Sequence, residues 1–424
     1  MGLNAMNGNF TLMKKRLLNA TSLVYVIAVA DTFGGLVQGV FPATLLLRMV
    51  MIVFLLLHVF RLSSKGSGTQ LPWFALIGYF LAKVTADYFV ALDERVFAVE
   101  GGATLRLLYF PLLYAFLLNQ LTKGRLTRAQ LHSFLLLYGW LTLASLVLGH
   151  VTGLGGVIGG RGLEMEGGKG FMIGANEVGL MLLLTAPFIG DDMIRRTRSV
   201  LVGGITQLLV YGLAGVHVFT KSSLIAVLVS AYSVYRAFIC RGKQAKTLLR
   251  IGLFGIFPIV VMLIYQNLKV IEEFALETFF SALLNDGVVS FLFRGRNDYI
   301  SAIFPQLRDH PQSWLFLLFG AGEFYMRKVS ERPLMLMPGE GTTFEMDFFD
   351  VFGAYGLVGF GLYAWIVRVI LRQAGPRKMP VEISVAIFCV IAHSFMAGHV
   401  LFSPQVTTLL ALVLLYYRTP RRPN

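Results

Sequence analysis

About twelve apolar stretches run through the chain, most of them close to the ~20 residues that a membrane-spanning helix needs. Their apolar character is continuous rather than alternating, which argues against a β-barrel. Because lipid offers no hydrogen bonds to the backbone, such segments fold as helices. The sequence therefore predicts an all-α fold, a polytopic transmembrane helical bundle. The predicted spans are roughly 18–38, 42–60, 71–91, 104–121, 131–151, 171–190, 200–219, 222–240, 251–267, 348–371, 381–401 and 405–418.

Composition excludes a soluble enzyme, since 56% of the 424 residues are hydrophobic, only 14% are charged and the mean hydropathy is +0.69. The formal net charge of +14 raises the question of nucleic acid, but the charges lie in short loops between spans. We therefore predict the lipid bilayer and no nucleic acid as a partner. We expect one integral membrane domain over residues 1–424, without a cleavable signal peptide or a disulfide framework.

Lysine and arginine concentrate in every second loop, for example at 14–16, 123–128, 195–198 and 372–378. By the positive-inside rule these loops, and both termini, are cytoplasmic. The opposite side then carries three longer segments, roughly 92–103, 152–170 and 268–347. Within the large periplasmic segment 268–347, helical apolar spacing predicts surface helices from Val270 to Leu284 and from Asn297 to Leu307.

Three carboxylates, Glu345, Asp347 and Asp350, stand within six positions where this segment enters the next span. One acid in the first turn of a helix is explained by capping and by the helix dipole. Asp347 and Asp350 would share a helix face and repel each other unless a cation or a proton lies nearby. We interpret the cluster as functional, and leave open which acid takes part in chemistry and which caps the helix.

Several basic residues lie on the translocated side, where the positive-inside rule predicts few. An anionic ligand such as a phosphate or pyrophosphate explains them, because arginine binds phosphate oxygens bidentately and lysine acts as a point charge. The alternative is ordinary loop charge paired with neighbouring acids. The residues concerned are Arg161, Lys169, Lys221, Arg294 and Arg296.

Other polar residues lie inside or at the ends of spans. Arg48 is several residues inside its span and predicts a buried partner, whereas Asn176 and Glu177 open the sixth span, where a salt bridge is an equal alternative to function. His393 and His399 lack the i, i+4 spacing of a zinc pair, so packing or hydrogen bonding is expected. Arg48, Lys83 and Glu177 also suit a transporter, but the paired broken spans of an inverted-repeat carrier are not seen.

The order of these motifs resembles the O-antigen polymerase and O-antigen ligase superfamily of bacterial membrane glycosyltransferases. It comprises the Thr220-Lys-Ser-Ser turn, Gly295-Arg296, Phe319-Gly-Ala-Gly322, and the stretch from Glu345 to Gly359. The resemblance covers roughly residues 160–365, and its motifs are loose. Ligases of this superfamily carry a histidine where this chain has Glu345, a departure that favours a polymerase.

The resemblance implies a donor glycan on undecaprenyl pyrophosphate, the bacterial inner membrane with a periplasmic active face, and neither metal nor cofactor. It implies partners such as a chain-length regulator and a flippase. Together with the charge pattern, it leads us to assign catalytic roles to Glu345, Asp347 and Arg296, with Glu345 or Asp347 as the base or as the group that orients the acceptor. The pyrophosphate would be bound by Lys221, Arg161, Arg294 and Lys169, with Asp350, Glu177, Asn176 and Arg48 in support.

These inferences predict a metal-independent, inverting polymerase that joins lipid-linked repeat units into O-antigen, capsule or exopolysaccharide. A ligase or oligosaccharyltransferase that moves the glycan onto lipid A-core or protein is the first alternative. A transporter is the second, although transporters place key charges near mid-membrane, and here they gather at the outer face.

Overall fold

A computed structural model describes residues 20–37, 43–63, 70–155, 157–158, 167–172, 174–218, 220–240, 293, 296–331, 333–335, 341–372, 379–398 and 400–418. These residues form fourteen helices and one two-residue strand pair. In chain order they are α1 (Ala20–Val37), α2 (Ala43–Ser63), α3 (Gln70–Ala91), α4 (Arg95–Thr122), α5 (Arg128–Thr152), β1 (Val157–Ile158), β2 (Gly167–Gly168), α6 (Ala175–Thr197), α7 (Val200–Val218), α8 (Lys221–Cys240), α9 (Arg296–Arg308), α10 (Ser313–Phe319), α11 (Glu323–Ser330), α12 (Asp347–Arg372), α13 (Val381–Met396) and α14 (Pro404–Arg418).

The predicted all-α class is confirmed. Eleven of the twelve predicted spans coincide with a helix, and the twelfth, 251–267, lies outside the described residues. Six helices are long and apolar enough to cross a membrane, and three shorter apolar helices accompany them among the residues described. The chain is a multi-pass membrane protein. The six segments are Trp73–Ala91, Arg95–Thr122, Arg128–Thr152, Val200–Val218, Lys221–Ile239 and Asp347–Trp365.

Most of the predicted outer segment 92–103 belongs to helix α4, which begins at Arg95 and runs for 28 residues. The glutamate in this stretch, Glu100, is almost completely buried and accepts the backbone N–H of Phe324 at 2.6 Å. This tertiary hydrogen bond offsets part of the cost of burying a carboxylate. Glu100 therefore connects α4 to the start of α11, more than 200 residues away in the sequence.

The other two segments that the sequence assigns to the periplasm are partly described. In the glycine-rich segment 152–170, β1 pairs antiparallel with β2, with Val157 opposite Gly168. The helix predicted from Asn297 to Leu307 is confirmed by α9, whereas the helix predicted from Val270 to Leu284 lies outside the described residues. Two short helices, α10 and α11, follow α9.

Helices α4, α6 and α14 form the interior of the bundle. Tyr109, Leu182 and Leu412 on these three helices have no exposed surface. In contrast, Leu81, Leu213 and Leu228 are about two-thirds exposed or more on helices α3, α7 and α8. Apolar side chains that point away from a buried core are typical of a lipid-facing surface.

Helix α12 is broken at Gly356, where the backbone turns left-handed (φ 63°, ψ −169°). The loop after α10 lies against the break and satisfies its carbonyl groups: Ala321 N–H donates to Gly353 O at 2.7 Å, and Gly322 N–H donates to Ala354 O at 3.2 Å. A Cβ atom on Gly356 would lie 2.4 Å from the Gly320 nitrogen, so this contact requires glycine. The loop after α10 is thus hydrogen-bonded into a candidate membrane span.

Candidate active site

The start of α9 and the approach to α12 bring Arg296 and Glu345 together. One guanidinium nitrogen of Arg296 lies 3.4 Å from Glu345 Oε2. Arg296 is buried, whereas about a third of the Glu345 side chain is exposed. The other carboxylate oxygen of Glu345 accepts the Thr342 hydroxyl at 3.1 Å. A cation and an accessible carboxylate, 49 residues apart in sequence, therefore form one site.

The backbone at Glu345 is unusual, because its φ of 55° lies in the left-handed region that non-glycine residues rarely adopt. The neighbouring chain fits this conformation closely: a Cβ atom on Gly398 would lie 2.2 Å from the Glu345 carbonyl oxygen. Strained backbone persists only where the surroundings determine it, and it often marks a functional position. The loop between α13 and α14 thus holds Glu345 in place.

Asp347 fastens that loop to α12. Its carboxylate is completely buried, and Oδ2 accepts three hydrogen bonds: from the Ser394 hydroxyl at 2.6 Å, from Val400 N–H at 2.8 Å and from Leu401 N–H at 2.9 Å. Backbone amides that converge on a carboxylate stabilise its charged form. The geometry gives Asp347 a positioning role between α12 and the loop.

Asp350 faces the opposite direction, toward the segment that precedes the helix. It is buried, and its Oδ1 accepts Phe344 N–H at 2.8 Å. The Thr343 side chain also hydrogen-bonds to this carboxylate. Asp350 therefore closes the turn that carries Glu345, and of the three acids only Glu345 is open to a substrate.

The Lys221 turn lies at the start of α8. Thr220 and Ser223 exchange hydrogen bonds, with Thr220 N–H donating to the Ser223 hydroxyl at 3.0 Å and Ser223 N–H donating to Thr220 Oγ1 at 3.2 Å. This reciprocal pattern caps the helix and fixes Lys221 at its first position. Both α8 and α12 pack against α13, which places the lysine turn and the acid cluster around neighbouring helix ends.

Asn176 and Glu177 lie in the first turn of α6, beside this lysine turn, and both are half-buried. The Glu177 carboxylate lies over the backbone of Gly174, directly before the helix. Gly179, half a turn further on, contacts the hydroxyl groups of Thr220 and Ser222. The structure thus brings Asn176 and Glu177 to the same end of adjacent helices as Lys221.

The remaining basic residues divide into two groups. Arg161 and Arg294 lie outside the described residues. Lys169 is half-buried and directly follows β2, where Gly168 packs against the imidazole of His217.

Arg48 has the buried partner that the sequence predicted. Its guanidinium donates to Asp31 Oδ1 at 2.9 Å, and Tyr138 donates its hydroxyl to the other oxygen at 3.2 Å. The Asp31 carbonyl accepts the Gln405 side-chain amide at 2.8 Å. The ion pair therefore links α1, α2, α5 and α14, and its contacts indicate a structural role.

A second charged cluster, which the sequence analysis missed, surrounds Gly322. A Cβ atom on Gly322 would lie 2.6 Å from a Glu100 oxygen and 2.9 Å from an Asp87 oxygen. Lys83 hydrogen-bonds to Asp87, and Glu323 pairs with Arg327 on its own helix. The sequence could have indicated this cluster through the i, i+4 spacing of Lys83 and Asp87 within a predicted span.

No group of three or more His, Cys, Asp or Glu side chains that could hold a metal ion occurs in the described part of the chain. His399 lies outside that part.

Residues 266–417 match the family model of the O-antigen ligase like membrane proteins. The matched region begins and ends later than the predicted 160–365, and it contains Arg296, the acid cluster and helices α9 to α13. No curated protein and no solved structure matches the chain. The family match confirms the predicted resemblance, and it supports a membrane enzyme of O-antigen or related glycan assembly.

Proposed function

We propose that this protein is a polymerase that joins oligosaccharide repeat units carried on undecaprenyl pyrophosphate. The observation that carries the proposal is the Arg296–Glu345 pair, in which a buried cation lies beside a partly exposed carboxylate. It occurs at the helix ends opposite the basic loops, a position that the positive-inside rule assigns to the periplasm. A glycosyl transfer from a lipid pyrophosphate needs both groups.

In the proposed reaction, an acceptor hydroxyl attacks the anomeric carbon of the donor sugar. A carbon–oxygen bond forms, the bond between that carbon and the pyrophosphate breaks, and its electron pair leaves with the lipid pyrophosphate. Glu345 takes the proton of the hydroxyl. Direct displacement inverts the configuration at the anomeric carbon.

Glu345 is the proposed base because it is the acid that a substrate can reach. Asp347 and Asp350 are buried and already accept backbone amides, so they are assigned to positioning. Arg296 neutralises the developing charge of the pyrophosphate, an effect usually among the largest in catalysis. Lys221 is proposed to hold the second phosphate, and Lys169, Arg161 and Arg294 remain predictions.

The base is tested with Glu345→Gln in purified full-length protein supplied with a lipid-pyrophosphate glycan. Removing a general base lowers the rate about 10²–10⁴-fold. The matched control is Glu94→Gln, at an exposed glutamate ahead of α4, which leaves the rate unchanged. Turnover at the wild-type rate by Glu345→Gln would contradict the assignment of Glu345 as the base.

The pyrophosphate role is tested with Arg296→Ala against Arg308→Ala. These arginines begin and end the same helix, α9, but Arg308 is exposed and pairs with the adjacent Asp309. Arg296→Ala is expected to lower turnover about 10²–10³-fold, the usual effect of losing one charge-stabilising group. Equal losses in both variants would point to damage of α9 instead.

A ligase is the second candidate, because the matched family is described as ligase-like. The product decides between the two. A polymerase lengthens the lipid-linked glycan in steps of one repeat unit, whereas a ligase transfers it only when a separate acceptor, such as lipid A-core, is added.

A further inference from the structure

A second polar cavity, of about 370 Å³, lies at the far end of α13 and α14 from Asp347. The ends of five helices surround it: the start of α5 and α13, and the last turns of α6, α8 and α14. Its size falls in the range of small-ligand sites, roughly 300–1,000 Å³. The residues used below are Arg128, Asp191, Arg195, Arg236, Glu382 and Tyr416.

The cavity carries both signs of charge. Arg236 donates to Glu382 Oε1, and Arg195 lies 3.9 Å from Asp191 in a pair whose side chains are about two-thirds exposed. Arg128 stacks on Tyr416, with its guanidinium carbon 4.4 Å from the ring centroid. Stacking leaves edge N–H groups of an arginine available to an oxygen ligand.

Glu382 provides the observation that points to a ligand. The residue is only 8% exposed, and its second oxygen, Oε2, is buried and accepts no hydrogen bond from any described residue. A buried carboxylate oxygen without a donor is costly, and a donor from outside the protein removes this cost. A cationic N–H donor satisfies it best, because the hydrogen bond is then charge-assisted.

The position of the cavity indicates where that donor comes from. Its helix ends adjoin the basic loops that the positive-inside rule assigns to the cytoplasm, at the depth of the lipid headgroups. Basic pockets between membrane helices on this side are suited to lipid phosphates. A ligand that satisfies the whole cavity carries a phosphate for Arg128 and Arg195, and an ammonium for Glu382.

We propose that this cavity binds the headgroup of an inner-leaflet phospholipid that joins a phosphodiester to a primary ammonium, as phosphatidylethanolamine does. The phosphate lies between Arg128 and Arg195, and the ammonium donates to Glu382 Oε2. A phosphatidylglycerol headgroup lacks the cation, and a phosphatidylcholine headgroup lacks the N–H. Glu345 and Arg296 do not line this cavity, so lipid binding here does not depend on the proposed function.

The experiment titrates delipidated full-length protein in detergent with three phospholipids of identical acyl chains, and follows thermal unfolding and native mass spectra. Phosphatidylethanolamine is expected to bind about tenfold more tightly than phosphatidylcholine, the effect of one charge-assisted hydrogen bond. Equal binding of the choline lipid, tighter binding of phosphatidylglycerol, or no binding of any lipid overturns the proposal.

Two variants test which residue binds the ammonium and which binds the phosphate of the headgroup. Glu382→Gln is expected to abolish the preference for ethanolamine over choline. Arg128→Ala is expected to weaken both lipids about tenfold, since each loses the same charged hydrogen bond. The matched control is Arg125→Ala, an exposed arginine three residues away and outside the cavity, which changes neither.

If Glu382→Gln fails to fold, Arg195→Ala replaces it, because Arg195 is exposed and its removal leaves the Arg236–Glu382 pair intact. It is expected to weaken both lipids and to retain the ethanolamine preference. Unchanged binding in both Arg128→Ala and Arg195→Ala overturns the proposed phosphate position.

Discussion

The two ends of α13 handle buried carboxylates differently. At one end, Asp347 accepts a hydroxyl and two backbone amides and fastens the loop before α14. At the other, Glu382 binds a half-exposed arginine through one oxygen and leaves the second without a described donor. Asp347 is held by three donors of the fold, a hydroxyl and two backbone amides, whereas Glu382 is held by one arginine side chain and is therefore the more available of the two to a ligand.

The largest expected effect on stability comes from Asp347→Ala. The change leaves two backbone amides and one hydroxyl buried without an acceptor, which costs about 3–5 kcal/mol. Chemical or thermal unfolding of the purified protein measures it. Asp309→Ala, at an exposed aspartate, is the control and changes stability by less than about 0.5 kcal/mol. Similar losses of stability in Asp347→Ala and Asp309→Ala would contradict the structural role given to the Asp347 hydrogen bonds.

Gly356→Ala tests the break in the same helix that Asp347 begins. The residue is left-handed, and a Cβ would lie 2.4 Å from the Gly320 nitrogen, so we expect a loss of about 2–3 kcal/mol. Gly361→Ala in the same helix has open space around the new Cβ and is expected to be neutral or stabilising by about 0.5–1 kcal/mol. A neutral Gly356→Ala would mean that α12 is continuous.

Tyr79→Phe removes a single hydroxyl that lies at the break. This group is 2.5 Å from the Tyr355 carbonyl oxygen and 2.9 Å from that of Phe319, and it donates to one of them at a time. Its loss is expected to cost about 1 kcal/mol, the usual net value of one hydrogen bond. Differential scanning fluorimetry of matched preparations measures the change, and a loss as large as that of Gly356→Ala would contradict this ranking.

Glu382→Gln in lipid-free detergent is expected to have the smallest effect, within about 1 kcal/mol, because its ion-pair partner Arg236 is 42% exposed in its side chain. The same unfolding measurement as for Asp347→Ala provides the comparison. A loss that equals that of Asp347→Ala would show that both carboxylates build the fold, and would contradict the contrast between the two ends.

The helices were predictable from the apolar runs: eleven of the twelve predicted ranges contain a helix, and six of the described helices are long and apolar enough to cross a membrane. The hydrogen bond between Glu100 on α4 and Phe324 was not predictable, since the two residues lie far apart in the sequence. The break in α12 was hidden as well, because glycines are common in membrane helices. The sequence contained both halves of that contact, Phe319–Gly322 and Gly353–Gly356, but not their pairing.

For the candidate site, the sequence indicated Arg296 and the three acids by charge and position alone. It was unable to rank Glu345, Asp347 and Asp350, because their difference is one of burial and hydrogen-bond partners. The buried partner of Arg48 was predictable in kind, but its identity as Asp31 required the packing of α1 against α2.

The broken α12 has a consequence for how this protein can be divided. The amides of Ala321 and Gly322 satisfy carbonyl groups inside a candidate span, so these groups would face hydrocarbon without a partner if the loop were removed. Residues 296–331 are therefore not a soluble appendage that a protease or a cloning boundary can separate from the membrane part. They are hydrogen-bonded to α12, and the two parts are expected to fold and to unfold together.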